Sequence, residues 1–175
     1  MLLSLFVSIR ESVAIHEERH QKRLPDKIII KKYFLAKYSY REVINLIRNI
    51  EILTNNGVIC DKFNGILKIT FIDGGFIDVL HGARDKIHGG SVLVSHPLMG
   101  SVKPNETPYR SIILEDKKGP LDFQSLSIIE SSIESCKKLL RDKLTPDWTP
   151  RVLDDFKFLD MKLLESALSS IGVNC

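Results

Sequence analysis

The chain reads as an α/β protein, with a small, mostly parallel sheet of about four strands flanked by helices in a Rossmann-like three-layer arrangement. Three observations point there. Short runs rich in β-branched and aromatic residues, residues 67–72 above all, are bounded by turn formers. Between them, apolar residues recur every three or four positions, as on one face of a helix. Strands that alternate with helices favour parallel pairing, because each helix carries the chain back across the sheet and covers it. With 175 residues the chain is long enough to bury one real core.

Residues 1–46 form an N-terminal extension and residues 47–175 a single domain. In the extension Leu2, Leu5, Phe6, Ile9 and Val13 recur at helical spacing, which predicts an amphipathic helix of about twenty residues. A secretory signal carries its positive charge first and ends in small residues, whereas here Glu17, Glu18, Arg19 and His20 follow the apolar run. Pro25 ends that helix, residues 27–33 with three isoleucines make a short strand, and residues 40–47 add a helical turn or two.

In the domain, Ile50 to Leu53 is a strand stopped by Thr54-Asn55-Asn56-Gly57. Residues 67–72 are the second strand. Gly74-Gly75 opens a helix that repeats Phe76, Leu80, Ala83 and Ile87, and Gly89-Gly90 stops it by accepting φ > 0 without strain. Residues 91–95 and 109–115 are the third and fourth strands. Asp122 is the N-cap of the longest helix, whose stripe is Leu126, Ile129, Ile133, Cys136 and Leu140. Thr149 caps the last helix with Pro150 at its first position, and Val152, Phe156, Leu159, Leu163 and Ala167 face the sheet.

Hydrophobic residues at 43% and charged residues at 27% are ordinary for a globular domain. The net charge of +3 is unevenly placed: residues 1–46 hold 9 Lys and Arg against 5 Asp and Glu, the remainder 16 against 17. The domain therefore carries no electrostatic footprint for nucleic acid. Cys60, Cys136 and Cys175 are odd in number and form no CxxC, which argues against a disulfide scaffold or thiolate zinc site and for a reducing cytoplasm. No apolar run reaches the ~18–20 residues of a membrane span. No GxGxxG or P-loop occurs, His16 and His20 lack the HExxH order, and His81 and His88 lie two turns apart. Neither a cofactor nor a metal is expected.

The candidate site is the loop over residues 95–108. Three prolines and a glycine keep it out of strand and helix, yet it gathers Ser95, His96, Ser101, Lys103, Asn105 and Glu106. In open α/β sheets ligands bind beyond the carboxyl ends of the strands. If the first and third strands are neighbours, Asn55, Asn56 and His96 converge with the loop. The competing reading of Asn55-Asn56 is a plain turn in the left-handed region. His96, fixed in direction by Pro97, is a candidate acid–base with Glu106 orienting it, against a structural histidine bonding a loop carbonyl. The backbone of Gly100 to Val102, the Ser101 hydroxyl and the Lys103 ammonium suit a carboxylate or phosphate.

The run from His96 through Tyr109, HPLMGSVKPNETPY, carries a resemblance. Three further pieces accompany it: Glu51 to Asn56, Leu121-Asp122 through Ser125 to Glu130, and Asp154-Asp155-Phe156 through Leu164 to Ala167. Together, from about residue 47 to the C-terminus, they resemble the GrdX family. Its members are small proteins encoded beside the glycine, sarcosine and betaine reductase complexes of amino-acid-fermenting anaerobes. The chain departs from the pattern at Gly57, where proline is expected. Because the match begins near Ile47, a competing reading of the extension is that translation starts inside the chain. The resemblance implies a context and no catalytic residues: an accessory or small-ligand-binding protein with glycine reductase components as partners. The alternatives are an enzyme on a small anionic metabolite, with His96 as acid–base and Lys103 as anion clamp, and a purely protein-binding subunit.

Overall fold

The computed structural model describes residues 29–30 and 49–174. In order the elements are β1 (Ile29–Ile30), β2 (Ile50–Thr54), α1 (Gly57–Phe63), β3 (Lys68–Phe71), α2 (Phe76–His88), β4 (Val92–Leu93), β5 (Ser111–Glu115), α3 (Phe123–Asp142), α4 (Pro150–Ser170) and β6 (Val173–Asn174). β1 pairs antiparallel with β6, and the other four strands form one sheet in the order β3-β2-β5-β4. The amphipathic helix of the extension, the His16 and His20 pair and the turn expected over 40–47 lie outside the described residues.

Strand direction overturns the mostly parallel sheet. β2 and β3 are parallel, but β5 runs antiparallel to both β2 and β4, so the sheet is mixed. A parallel return needs a crossover, usually a helix, and α1 supplies one between β2 and β3. Between β4 and β5 there is none. Pro97, Pro104 and Pro108 keep that connection out of helix, and the chain folds back beside the strand it has just left. The Rossmann-like expectation thus rests on the two crossovers β2–α1–β3 and β3–α2–β4, and β5 departs from it.

The three layers are present. Alternate residues of a strand face opposite sides. Ile50, Ile52 and Ile113 pack against Ile59 and Phe63 of α1 and Met161, Leu164 and Leu168 of α4. On the other face Leu53, Ile112 and Leu114 pack against α2 and α3, through Val79, Leu80, Ala83 and Ile87 of α2 and Ile129, Ile133 and Cys136 of α3. The four apolar positions predicted for α2 are all buried. Asp122 caps α3, its Oδ1 accepting from Ser125 N at 2.7 Å, and Thr149-Pro150 opens α4. Among the described residues no helix is long and apolar enough to cross a membrane.

Two helical expectations change. α4 buries Asp160, Met161, Leu164 and Leu168, whereas Leu159 is exposed, so its inward face is turned from the predicted stripe. A polar residue that belongs inside, Asp160, made the wrong stripe look better. α1 was not anticipated: it is about two turns long and buries only Ile59 and Phe63, too few to show a period.

Gly57 is the first residue of α1, and nothing lies within 4 Å of a Cβ added there. Asn56 before it is extended, at φ −102° and ψ 106°, as a residue preceding proline should be. Gly57→Pro is expected to stabilise the fold by about 0.4–1 kcal/mol and raise Tm by about 1–4 °C, read by calorimetry. A lower Tm would mean that the Gly57 N–H is needed. Deleting residues 1–45 is expected to leave a single cooperative transition, lowered only by loss of the two-residue β1–β6 pairing. Loss of cooperativity would make the extension part of the domain.

Candidate functional site

β2 and β4 both run antiparallel to β5, so their carboxyl ends and the start of β5 lie at one end of the sheet. The two strands are not neighbours; β5 lies between them. The convergence expected from adjacency is produced by β5 instead.

Asn55 ties that end together. Its Nδ2 donates to Gly74 O at 2.9 Å and Pro108 O at 2.8 Å, and its Oδ1 accepts from Arg110 N at 2.8 Å. Asn56 caps α1 through Oδ1, which accepts from Val58 N at 3.2 Å, and its Nδ2 donates to Lys157 O at 2.9 Å and Asp160 Oδ2 at 3.1 Å. Among the described residues no non-glycine has positive φ, so the left-handed turn proposed for this pair is not formed. Both side chains are buried and spent inside the fold.

The loop divides into an inner and an outer part. Ser95 is buried, its Oγ accepting from Ile113 N at 2.8 Å, which extends the β4–β5 pairing. His96 is exposed and heads a turn: its O accepts from Met99 N and its Nδ1 from Leu98 N, both at 3.1 Å. With Nδ1 accepting, the neutral ring carries its proton on Nε2. Gly100 follows at φ +101°, where a Cβ would stand 2.8 Å from Leu163 Cδ1, so the backbone lies against α4 as only glycine allows. Ser101 and Lys103 are exposed. Glu106 Oε2 accepts from Lys103 N at 3.1 Å, so this carboxylate bonds its own turn and not His96. Asn105 is buried, its Nδ2 donating to Leu139 O at 3.3 Å and Lys143 O at 3.2 Å at the end of α3. Trp148 Nε1 donates to Glu106 O at 2.7 Å. Asn55 and His96 are joined through Arg110, while Ser101, Lys103 and Glu106 sit on the outer arm.

The residues that join these parts were not singled out from sequence. Arg110 is 4% exposed, and it donates from Nη1 to Met99 O at 2.8 Å and from Nη2 to His96 O at 3.1 Å. Its guanidinium lies 5.6 Å from the Phe76 ring centre. Burial pulls its pKa down to about 10, against the opposing charge of Asp160. Beneath it runs a buried chain. Asn56 N donates to Thr54 Oγ1 at 3.0 Å, the Thr54 and Ser111 hydroxyls lie 2.7 Å apart, and Ser111 Oγ donates to Asp160 Oδ2 at 2.8 Å. Burial pushes the Asp160 carboxyl above its ordinary value, although Asn56, Ser111 and Arg110 all pull it down. One signal could have found Asp160: it stands four residues from both Phe156 and Leu164, a carboxylate on a row of inward apolar positions.

An open groove of about 350 Å³ lies elsewhere, lined by Leu53, Thr70, Ile72, Lys86 and Asp116 among others. It holds no residue of the loop. Beside it Glu51, fully buried, accepts from Lys86 Nζ at 2.7 Å and Thr70 Oγ1 at 2.5 Å, with Lys68 Nζ at 3.1 Å. Burial alone would raise this carboxyl, but those donors outweigh it and hold it low. Among the described residues no cluster of three or more His, Cys, Asp or Glu is placed to hold a metal.

A family model described as GrdX-like protein matches residues 51–169. No curated protein and no solved structure matches the chain.

Asp160→Asn removes the buried charge and keeps an oxygen for Ser111 and Asn56. A carboxyl raised in the fold contributes stability that is full below its ordinary 3.8 and is lost as pH rises through the raised value. The stability of the wild type relative to the variant should therefore fall as pH is raised, in urea titrations between about pH 4 and 7. A difference that is flat or grows with pH contradicts the assignment.

Proposed function

Because this chain belongs to the GrdX-like family, we propose that it is a cytoplasmic accessory protein of the glycine reductase system of amino-acid fermentation, binding a small anionic ligand at the sheet end where β2, β4 and β5 meet. The observation that carries this reading is the continuous connection Asn55–Arg110–His96, which gathers two strand ends and the loop at one place. Strand ends of this kind are where α/β sheets take ligands. In this reading the Lys103 ammonium and the Ser101 hydroxyl meet the anion, with backbone N–H groups beside them. Asn55, Asn56, Ser95 and Asn105 hold the backbone that faces it.

A second reading makes the protein an enzyme on a small anionic metabolite, with His96 as acid–base and Glu106 fixing the loop. What favours it is the commitment of Nδ1 to Leu98 N, which leaves the Nε2–H as the donor that a substrate oxygen would meet.

Thermal-shift titration with inorganic phosphate, acetate and acetyl phosphate tests the site. Lys103→Ala removes an exposed charge and should change stability by no more than about 0.5 kcal/mol. It should weaken an anion several-fold, since a hydrogen bond to a charged group contributes about 1.5–3 kcal/mol. His96→Ala should behave alike. If both variants melt much earlier and yet bind the anion normally, the loop is structural and the site lies elsewhere.

A further inference from the structure

We infer that Arg110 is an anion receptor, and that a carboxylate or phosphate group displaces the two main-chain carbonyls that now occupy its guanidinium. The inference rests on the anionic-ligand reading above and names the residue that would receive the charge.

Arginine stays charged in proteins and has five N–H donors. Arg110 spends two of them, both on neutral carbonyls, Met99 O and His96 O. Its Nε is buried without a partner. Among the described residues no carboxylate stands within ion-pair distance of it, although the side chain is almost wholly removed from water. Carbonyls satisfy the geometry of a guanidinium and leave its charge balanced only at a distance, by Asp160, a costly condition in an interior.

The surroundings deepen the deficit. Phe76, beneath the guanidinium, is the first residue of α2, a helix of 13 residues, so the cation sits by a positive helix end. The acids nearby are engaged elsewhere. Asp78 Oδ2 accepts from Gly75 N at 2.7 Å, and Asp160 Oδ2 accepts from Asn56 and Ser111. Such a place favours an incoming anion.

The carbonyls show how it would bind. They lie 2.8 and 3.1 Å from Nη1 and Nη2, one oxygen to each arm, as the two oxygens of a bidentate carboxylate or phosphate would. Both come from the turn between His96 and Met99. That turn is closed by Met99 N on His96 O and Leu98 N on His96 Nδ1, and it begins at an exposed residue. It covers Arg110 in the free protein and lifts when the anion takes its place.

The full chain, labelled with ¹⁵N, is titrated with sodium phosphate and with sodium acetate against a sodium chloride control. The expected result is a saturable shift of the Arg110 Nε–H resonance together with the Leu98 and Met99 amides. Arg110→Lys keeps the charge and loses the fork, and should bind at least ten-fold more weakly, whereas Lys103→Ala loses only several-fold. If Arg110→Lys binds as the wild type does while Lys103→Ala abolishes binding, the loop remains the site and the role of Arg110 is refuted. A wild-type Arg110 resonance that stays still while anions bind elsewhere also refutes it. If neither anion binds at all, the anionic-ligand reading falls with it.

Discussion

One carboxamide holds three separate stretches of chain in register. Asn55 donates to the carbonyls of Gly74, ahead of α2, and of Pro108, and accepts from the amide of Arg110, the last two at the entry to β5. A hydrogen bond of this kind contributes only about 0.5–1.5 kcal/mol net, but a buried partner left empty costs about 1–3. Losing Asn55 would strand several such groups together. The direction of β5, the entry into α2 and the end of the long loop are coupled through it.

Where local chemistry determines structure, sequence is enough. α2 shows its four apolar positions at helical spacing, and Asp122 and Thr149-Pro150 mark helix starts by the bonds they can and cannot make. Strand direction is another matter. Whether β5 returns beside β4 or crosses over depends on what the connection can bridge, and its prolines spoke to that only by exclusion. The inward face of α4 was hidden for a related reason: periodicity sorts residues by polarity, and Asp160 is polar and inside.

The site shows the same division. Its location was legible, because a long loop with prolines and several functional side chains is unusual in a compact domain. The roles were not. Asn105 and Ser95 look like ligand contacts on paper, yet they bond the end of α3 and the amide of Ile113. Arg110 looks like an ordinary residue at the head of a strand, yet it is the buried centre of the arrangement. Which polar groups go inside is decided by partners far apart in the chain, Asp160 with Ser111 and Asn105 with Leu139, and no short window of sequence contains both.

Among the described residues β3 closes one side of the four-stranded sheet, so a row of its peptide groups has no described strand beside it there. Phe71 at its end is 51% exposed, which makes that margin adhesive as well as open. Lys68, at its start, is half-exposed and paired with Glu51 and Asp116. It sets a charge on the margin where another strand would add. The ion cluster beside β2 thereby puts charge on that margin, as edges that resist pairing do, and the charge is tied to a carboxylate that solvent never touches.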